Sequence, residues 1–201
     1  LPKMYVVGNF LNSGGYGSDW TPANAVPIAS SGFGETDFEG YVYFNQASFE
    51  YKFLPTNTGW DGDYGDNGDF AGVLVQTGES NCVGTGAGYY RVKADTDALT
   101  YSITPTDWGI VGAATPGGWD NSTALTYNAS SKKWTGVVTL TAGEFKFRAN
   151  NQWTINLGGD PDGDGSMNYD GPNLSVGAAG TYNVELDLSN PRAYTYSVTA
   201  Q

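Results

Sequence analysis

An all-β chain of two tandem sandwiches is predicted by three observations on this sequence of 201 residues. Aromatic residues are abundant (Trp 6, Tyr 14, Phe 9) while charged residues make up only 15%, a composition that suits half-buried strands better than helices. Gly (29) and Pro (9) punctuate the chain into short runs, as strands joined by tight turns require. The third observation is an internal repeat, which also sets the number of domains.

The opening run YVVGNF (from Tyr5) recurs as GIVGAA (from Gly109). Phe38-Glu39-Gly40 recurs as Trp134-Thr135-Gly136, and Tyr51-Lys52-Phe53 as Phe145-Lys146-Phe147. Trp60 recurs as Trp153, Gly88-Tyr89-Tyr90 as Gly180-Thr181-Tyr182, and TYSIT (from Thr100) as TYSVT (from Thr195). These last five landmarks are displaced by 92 to 96 residues, in order, which chance does not produce. The repeat divides the chain into residues 1–104 and 105–201, with the join at Thr104-Pro105-Thr106-Asp107. So short a join leaves little slack between the copies.

Period-2 alternation is clean in Val137-Val138-Thr139-Leu140, Glu144 to Arg148, Tyr182 to Leu188 and Tyr194 to Val198. Such runs between Gly, Pro, Asn and Asp clusters mark strands, and no window carries an apolar period of 3.6. A copy of about 100 residues with about seven strands matches an immunoglobulin-like sandwich, with a small barrel as the alternative.

Composition excludes several functions. Nine Lys+Arg against 21 Asp+Glu give a net charge of −12, the opposite of the basic footprint that nucleic acid demands. Without His there is no imidazole base and no imidazole zinc ligand. The single Cys82 excludes an internal disulfide and a CxxC pair. No apolar run approaches the roughly 18 residues of a membrane-spanning helix, and Leu1 opens the chain without a signal-peptide pattern.

The tryptophans sort by context. Trp134 aligns with Phe38 beside a strand that must bury one face, so both are expected in the core, and Trp108 at the join is expected as a plug between the copies. Trp20, Trp60, Trp119 and Trp153 instead lie in SDWTP, TGWDGD, PGGWDN and NQWTIN. Indoles in Gly/Pro/Asp loops suit a surface platform, or else a lid over the end of the sandwich. Both positions are repeated, Trp20 with Trp119 and Trp60 with Trp153, although the surrounding loops differ.

Alternation in Glu144-Phe145-Lys146-Phe147-Arg148 turns the phenylalanines inward and Glu144, Lys146 and Arg148 outward. Glu50-Tyr51-Lys52-Phe53 repeats the pattern. Cations this scarce, placed shortly upstream of Trp60 and Trp153, fit a ligand site as well as a solvated face. Flat indoles beside Lys or Arg suit a sugar, whose apolar C–H face stacks on the ring while its hydroxyls accept hydrogen bonds. An acidic protein fits a neutral polysaccharide, and two copies add avidity on a long chain.

Asp61, Asp63, Asp66 and Asp69 in one copy, and Asp160, Asp162 and Asp164 in the other, resemble calcium loops. In the second, Gly171 stands where an EF-hand has Glu and no helices flank it, so Asp/Gly turns are the plainer reading and no metal or other cofactor is expected. Paired carboxylates also serve glycoside hydrolysis, but these acids sit on Gly-rich loops with no apolar pocket to raise one pKa, and no enzyme is expected. The sequons at Asn121 and Asn128 carry no weight.

The second copy, DWGIVGAATPGGWD, KKWTGVVTLTAGEFKFRANNQWTINLGGD and GPNLSVGAAGTYNVELDLS, resembles the repeated domains of the SusE/SusF-like outer-membrane lipoproteins of Bacteroidetes. The first copy resembles the same repeat more loosely. The resemblance implies surface-exposed, non-catalytic starch-binding β-sandwich modules, anchored by a lipidated N-terminal Cys that this sequence lacks, and working with an outer-membrane glycan-uptake complex. It implies binding by Trp119, Trp153, Lys146, Arg148 and Asn156 in the second copy, and by Trp20, Trp60 and Lys52 in the first. Asp63 aligns with Asn156, and Leu54 stands where Arg148 does. Starch or a related α-glucan is the expected ligand. A spacer or adhesion module whose loop tryptophans pack on a partner protein is the competing expectation.

Overall fold

The computed structural model describes residues 1–201, and its regular secondary structure is antiparallel strands apart from a single 3-10 turn at Pro22–Asn24. The chain divides into two compact units: Leu1–Pro105 with Asn190–Arg192, and Thr106–Ser189 with Ala193–Gln201. No helix is long and apolar enough to cross a membrane.

The first unit contains β1 (Lys3–Gly8), β2 (Val26–Ser30), β3 (Asp37–Phe44), β4 (Ser48–Leu54), β5 (Gly65–Asp66), β6 (Leu74–Val75), β7 (Cys82–Thr85), β8 (Gly88–Asp95) and β9 (Thr100–Pro105). Seven strands follow the order β7-β4-β1-β2-β3-β8-β9. The path folds back on itself through β2, whose residues Val26 to Ala29 pair with β1 while Ala29 and Ser30 pair with β3. Pro27 inside β2 supplies the irregularity such a crossing needs. The two ends of the path then face each other, so that a Cβ on Gly84 of β7 would meet Ile103 of β9 at 3.1 Å. Between the layers lies an aromatic core in which Phe44 stacks on Phe49 at 4.0 Å and Tyr51, Phe53 and Tyr90 surround them.

The second unit contains β10 (Trp108–Val111), β11 (Thr123–Ala124), β12 (Thr126–Asn128), β13 (Lys133–Leu140), β14 (Gly143–Ala149), β15 (Asn156–Gly158), β16 (Asn168–Tyr169), β17 (Leu174–Val176), β18 (Gly180–Asp187) and β19 (Thr195–Ala200). One layer runs β11-β10-β14-β15-β16, with β17 also on β14, and the other runs β12-β13-β18-β19. Here the crossing strand is broken in two at buried Leu125: β11 pairs with β10 and β12 with β13. Phe145, Phe147, Trp134, Leu157, Val184 and Leu186 fill the core, and Trp108 is buried in β10 opposite Ala149.

The sequence repeat reappears as pairing register. Val7 faces Lys52 as Val111 faces Lys146, Gly40 faces Val92 as Gly136 faces Val184, and Val92 faces Ile103 as Val184 faces Val198. A slip of one residue would send every inward side chain to solvent, so this agreement puts the β4 and β14 cations at the same place in each unit.

Candidate functional site

In the second unit Trp119 stands on the loop from β10 to β11, and Trp153 on the loop from β14 to β15. Their ring centroids are 6.0 Å apart and their planes incline by 36°. The rings are 37% and 45% exposed. The Trp119 loop closes on itself: Gly112 N–H donates to the Gly118 carbonyl and the Thr115 hydroxyl donates to the Gly112 carbonyl, each at 3.0 Å. Asn150 and Asn151 open the Trp153 loop with φ of +59° and +52°, a conformation that Asn tolerates better than most residues.

Arg148 lies beneath the pair. Its guanidinium carbon is 4.6 Å from the Trp153 ring centroid, within cation–π range. Its Nε donates to Ser122 Oγ (2.7 Å), and its Nη2 donates to the Asp120 carbonyl (3.2 Å) and to Asn151 Oδ1 (2.9 Å). Asn151 Oδ1 also accepts the Ser122 N–H at 2.8 Å. Lys146 donates to Asn156 Oδ1 and sits 6.0 Å from the Trp153 ring. Asn156 Nδ2 donates to the Trp153 carbonyl (2.9 Å) and to Asp170 Oδ1 (2.8 Å). Burial pushes the Lys146 ammonium below the ordinary lysine value, with Asp170 pulling the other way, and burial likewise lowers Arg148. Arg148 stays charged throughout the physiological range all the same.

The first unit holds the same pair in a different setting. Trp20 and Trp60 lie 6.3 Å apart at 35°. Trp60 is 40% exposed, whereas Trp20 is half-buried against the core. Trp20 has φ +52° and its N–H donates to the Gly8 carbonyl at 2.9 Å. A bulky residue in that region is strained by about 1–2 kcal/mol, and strain of this kind concentrates where function requires a side chain to be presented. Lys52 donates to Asp63 and to Glu79, the latter at 2.9 Å. Burial opposes the Lys52 charge, but its hydrogen bonds to the two carboxylates outweigh burial and hold it above the ordinary lysine value. The bond from Lys52 in turn holds Glu79 below the ordinary carboxylate value.

The structure thus brings all four loop tryptophans into two pairs and places Lys146, Arg148 and Asn156 against Trp153, whereas Lys52 connects to Trp60 only through Asp63, whose N–H donates to the Trp60 carbonyl at 3.2 Å. It differs from expectation over what the polar groups do. Lys52 and Lys146 leave their strands on the outward side, yet both are engaged by acceptors of their own unit. Arg148 also has the outward phase but is only 2% exposed, because the Trp119 loop folds over it, and Asn156 is buried too. Alternation predicts phase, not whether a distant loop roofs that face. Ser122, Asn151, Asp170 and Glu79 escaped the sequence reading. The Asn150-Asn151 doublet was a usable signal, since paired Asn favours a left-handed turn.

The acidic loops organise turns. Buried Asp66 accepts the N–H groups of Gly68 and Phe70, each at 2.8 Å, and the Tyr101 hydroxyl. Asp160, Asp162 and Asp164 are exposed and could offer ligand oxygens within 4.8 Å of one another. Asp160 accepts the N–H of Gly165 (2.8 Å), and Asp164 accepts both the N–H and the hydroxyl of Ser166. A hydrogen bond between Asp160 and Asp162 holds the first below and the second above the usual carboxylate value.

Fold and site together define an all-β sandwich protein that displays a tilted pair of indoles in each of two units. No protein-family model matches the sequence, and no curated protein does. Among solved structures it is similar to the crystal structure of SusF from Bacteroides thetaiotaomicron, at 17% identity with a TM-score of 0.41. The match takes in 98% of this chain and 48% of that one, so the chain spans about half its length.

Proposed function

We propose that this chain binds a polysaccharide without altering it, using the indole pair of each unit as a stacking platform. The observation that carries the reading is the repetition of one geometry, 6.0 Å and 36° in one unit and 6.3 Å and 35° in the other, on loops of different sequence. Side chains that only capped a sandwich end would have no reason to keep both separation and tilt. Two planes inclined by about 35° form a shallow trough, which fits a curved chain such as an α-1,4-glucan better than a flat ribbon. The net charge of −12 favours a neutral glycan over an acidic one.

On the sequence resemblance alone, the ligand is starch or a related α-glucan and the protein serves at the outer-membrane surface, passing glycan to an uptake complex. The test is electrophoresis in gels with and without amylopectin. Retardation of the wild type, reduced by alanine at one indole pair and abolished by alanine at both, supports the reading. A wild type that migrates equally in both gels refutes it for α-glucan, and no retention by any neutral polysaccharide on an array refutes it altogether.

A further inference from the structure

We propose that Arg148 is a positioning residue of the second indole pair, a strut that fixes the two rings rather than a donor to the glycan. The inference rests on the binding function proposed above and assigns Arg148 a different task from the ligand donor that resemblance implies. Arg148 is 2% exposed, so little of its guanidinium can reach a ligand. Its donors go to Ser122 and Asp120, on the loop that carries Trp119, and to Asn151, on the loop that carries Trp153. Asn151 Oδ1 doubles the tie by accepting from Ser122 N–H as well. One planar group therefore couples both loops while its central carbon lies over the Trp153 ring, 4.6 Å from the centroid. Only a guanidinium offers a rigid fork and a stacking face at once, and Lys is no substitute in this role.

With the guanidinium against one face of Trp153, a sugar has only the opposite face to rest on. The ring is thus presented one-sided, and its tilt to Trp119 is held from below. The first unit solves the same problem without a cation. Leu54, buried at the corresponding register position, does not bridge loops, and Trp20 is instead braced by the core and by its left-handed backbone. That comparison supplies a variant that should fold, because Leu is what the other copy of this sandwich accommodates at that position.

The experiment uses Arg148→Leu and Arg148→Lys in a background of Trp20→Phe and Trp60→Phe, so that Trp119 and Trp153 form the one remaining loop pair. Two quantities are read: the near-ultraviolet circular dichroism couplet of the indole pair with no glycan present, and retardation in amylopectin. Far-ultraviolet dichroism and the melting midpoint check the fold. The strut requires both substitutions to diminish the couplet of the free protein, and to weaken amylopectin binding about tenfold, the scale of a lost cation–π contact. Ser122→Ala, which touches the strut, should shift both readouts the same way by a smaller amount. An unchanged couplet with weakened binding would make Arg148 a glycan donor and overturn the proposal, as would two unchanged readouts. If the background protein shows no retardation at all, α-glucan binding by the second pair is refuted, while the couplet still decides whether Arg148 sets the rings.

Discussion

Replacing Trp153 by alanine removes the more exposed ring of the second pair and leaves its loop hydrogen bonds in place, since Asn156 holds the Trp153 carbonyl rather than the ring. A pyranose lying on one indole face shields about 50 Å² on each partner, so about 100 Å² at about 25 cal/mol per Å² amounts to about 2.5 kcal/mol. Ordering a flexible glycan offsets part of this, leaving about 2 kcal/mol, or about a 30-fold rise in Kd. A short maltooligosaccharide that reaches one site at a time must be the ligand, because a polymer engaging both units masks the loss through avidity. Isothermal titration in the Trp20→Ala, Trp60→Ala background isolates the second site. The same substitution uncovers the guanidinium of Arg148 and costs about 1 kcal/mol of cation–π energy, which lowers the melting midpoint of a domain of this size by about 4–8 °C. Trp119→Ala serves as the control, expected to cost similar affinity with a smaller drop in melting temperature. An affinity within about twofold of the parent, less than about 0.5 kcal/mol, in a folded Trp153→Ala protein would show that the rings are not the platform.

Three other outcomes follow from the geometry. Lys52→Met should destabilise the first unit by roughly 2 kcal/mol, between the values for exposed and buried pairs. Because Lys52 titrates above its ordinary value and Glu79 below its own, the pair stabilises fully only between the unfolded values of 4.5 and 10.5. The melting difference should shrink in acid, as Glu79 protonates, and in strong alkali, as Lys52 deprotonates; a difference constant across pH would contradict the pairing. Gly112→Ala would place a Cβ 2.3 Å from the Glu144 carbonyl at a φ of +150°, costing about 3 kcal/mol or more, and calorimetry should find the second unit's transition lowered or lost. Cys82 is fully buried, and burial pushes its thiol up to about 12. An aromatic disulfide reagent at pH 8 should therefore label it only in denaturant, and rapid labelling of the native protein would disprove that burial.

The parts of the fold visible in the sequence were those carried by local periodicity and by repetition. Phe145 and Phe147 point inward because a strand alternates, and Gly40 and Gly136 recur because both face the same position of the partner strand. The crossing between layers was not visible. Leu125 joins two strands of two and three residues, too short for any period, and Pro27 sits within a pairing that sequence rules reserve for edges and irregularities. The paired tryptophans were legible from their loops and their repetition. The engagement of Arg148 was not, because its partners Asp120, Ser122 and Asn151 come from two loops that only tertiary folding brings together.

Both indole pairs stand on exposed loops, not at the bottom of an enclosed pocket. A surface of that kind asks nothing of a polymer's terminus: a long molecule can settle on it sideways at any internal stretch and lift off the same way. Capture would then be governed by how many segments pass by rather than by how many ends exist, and release would need no threading. For the capture role proposed above, quick departure is as useful as attachment.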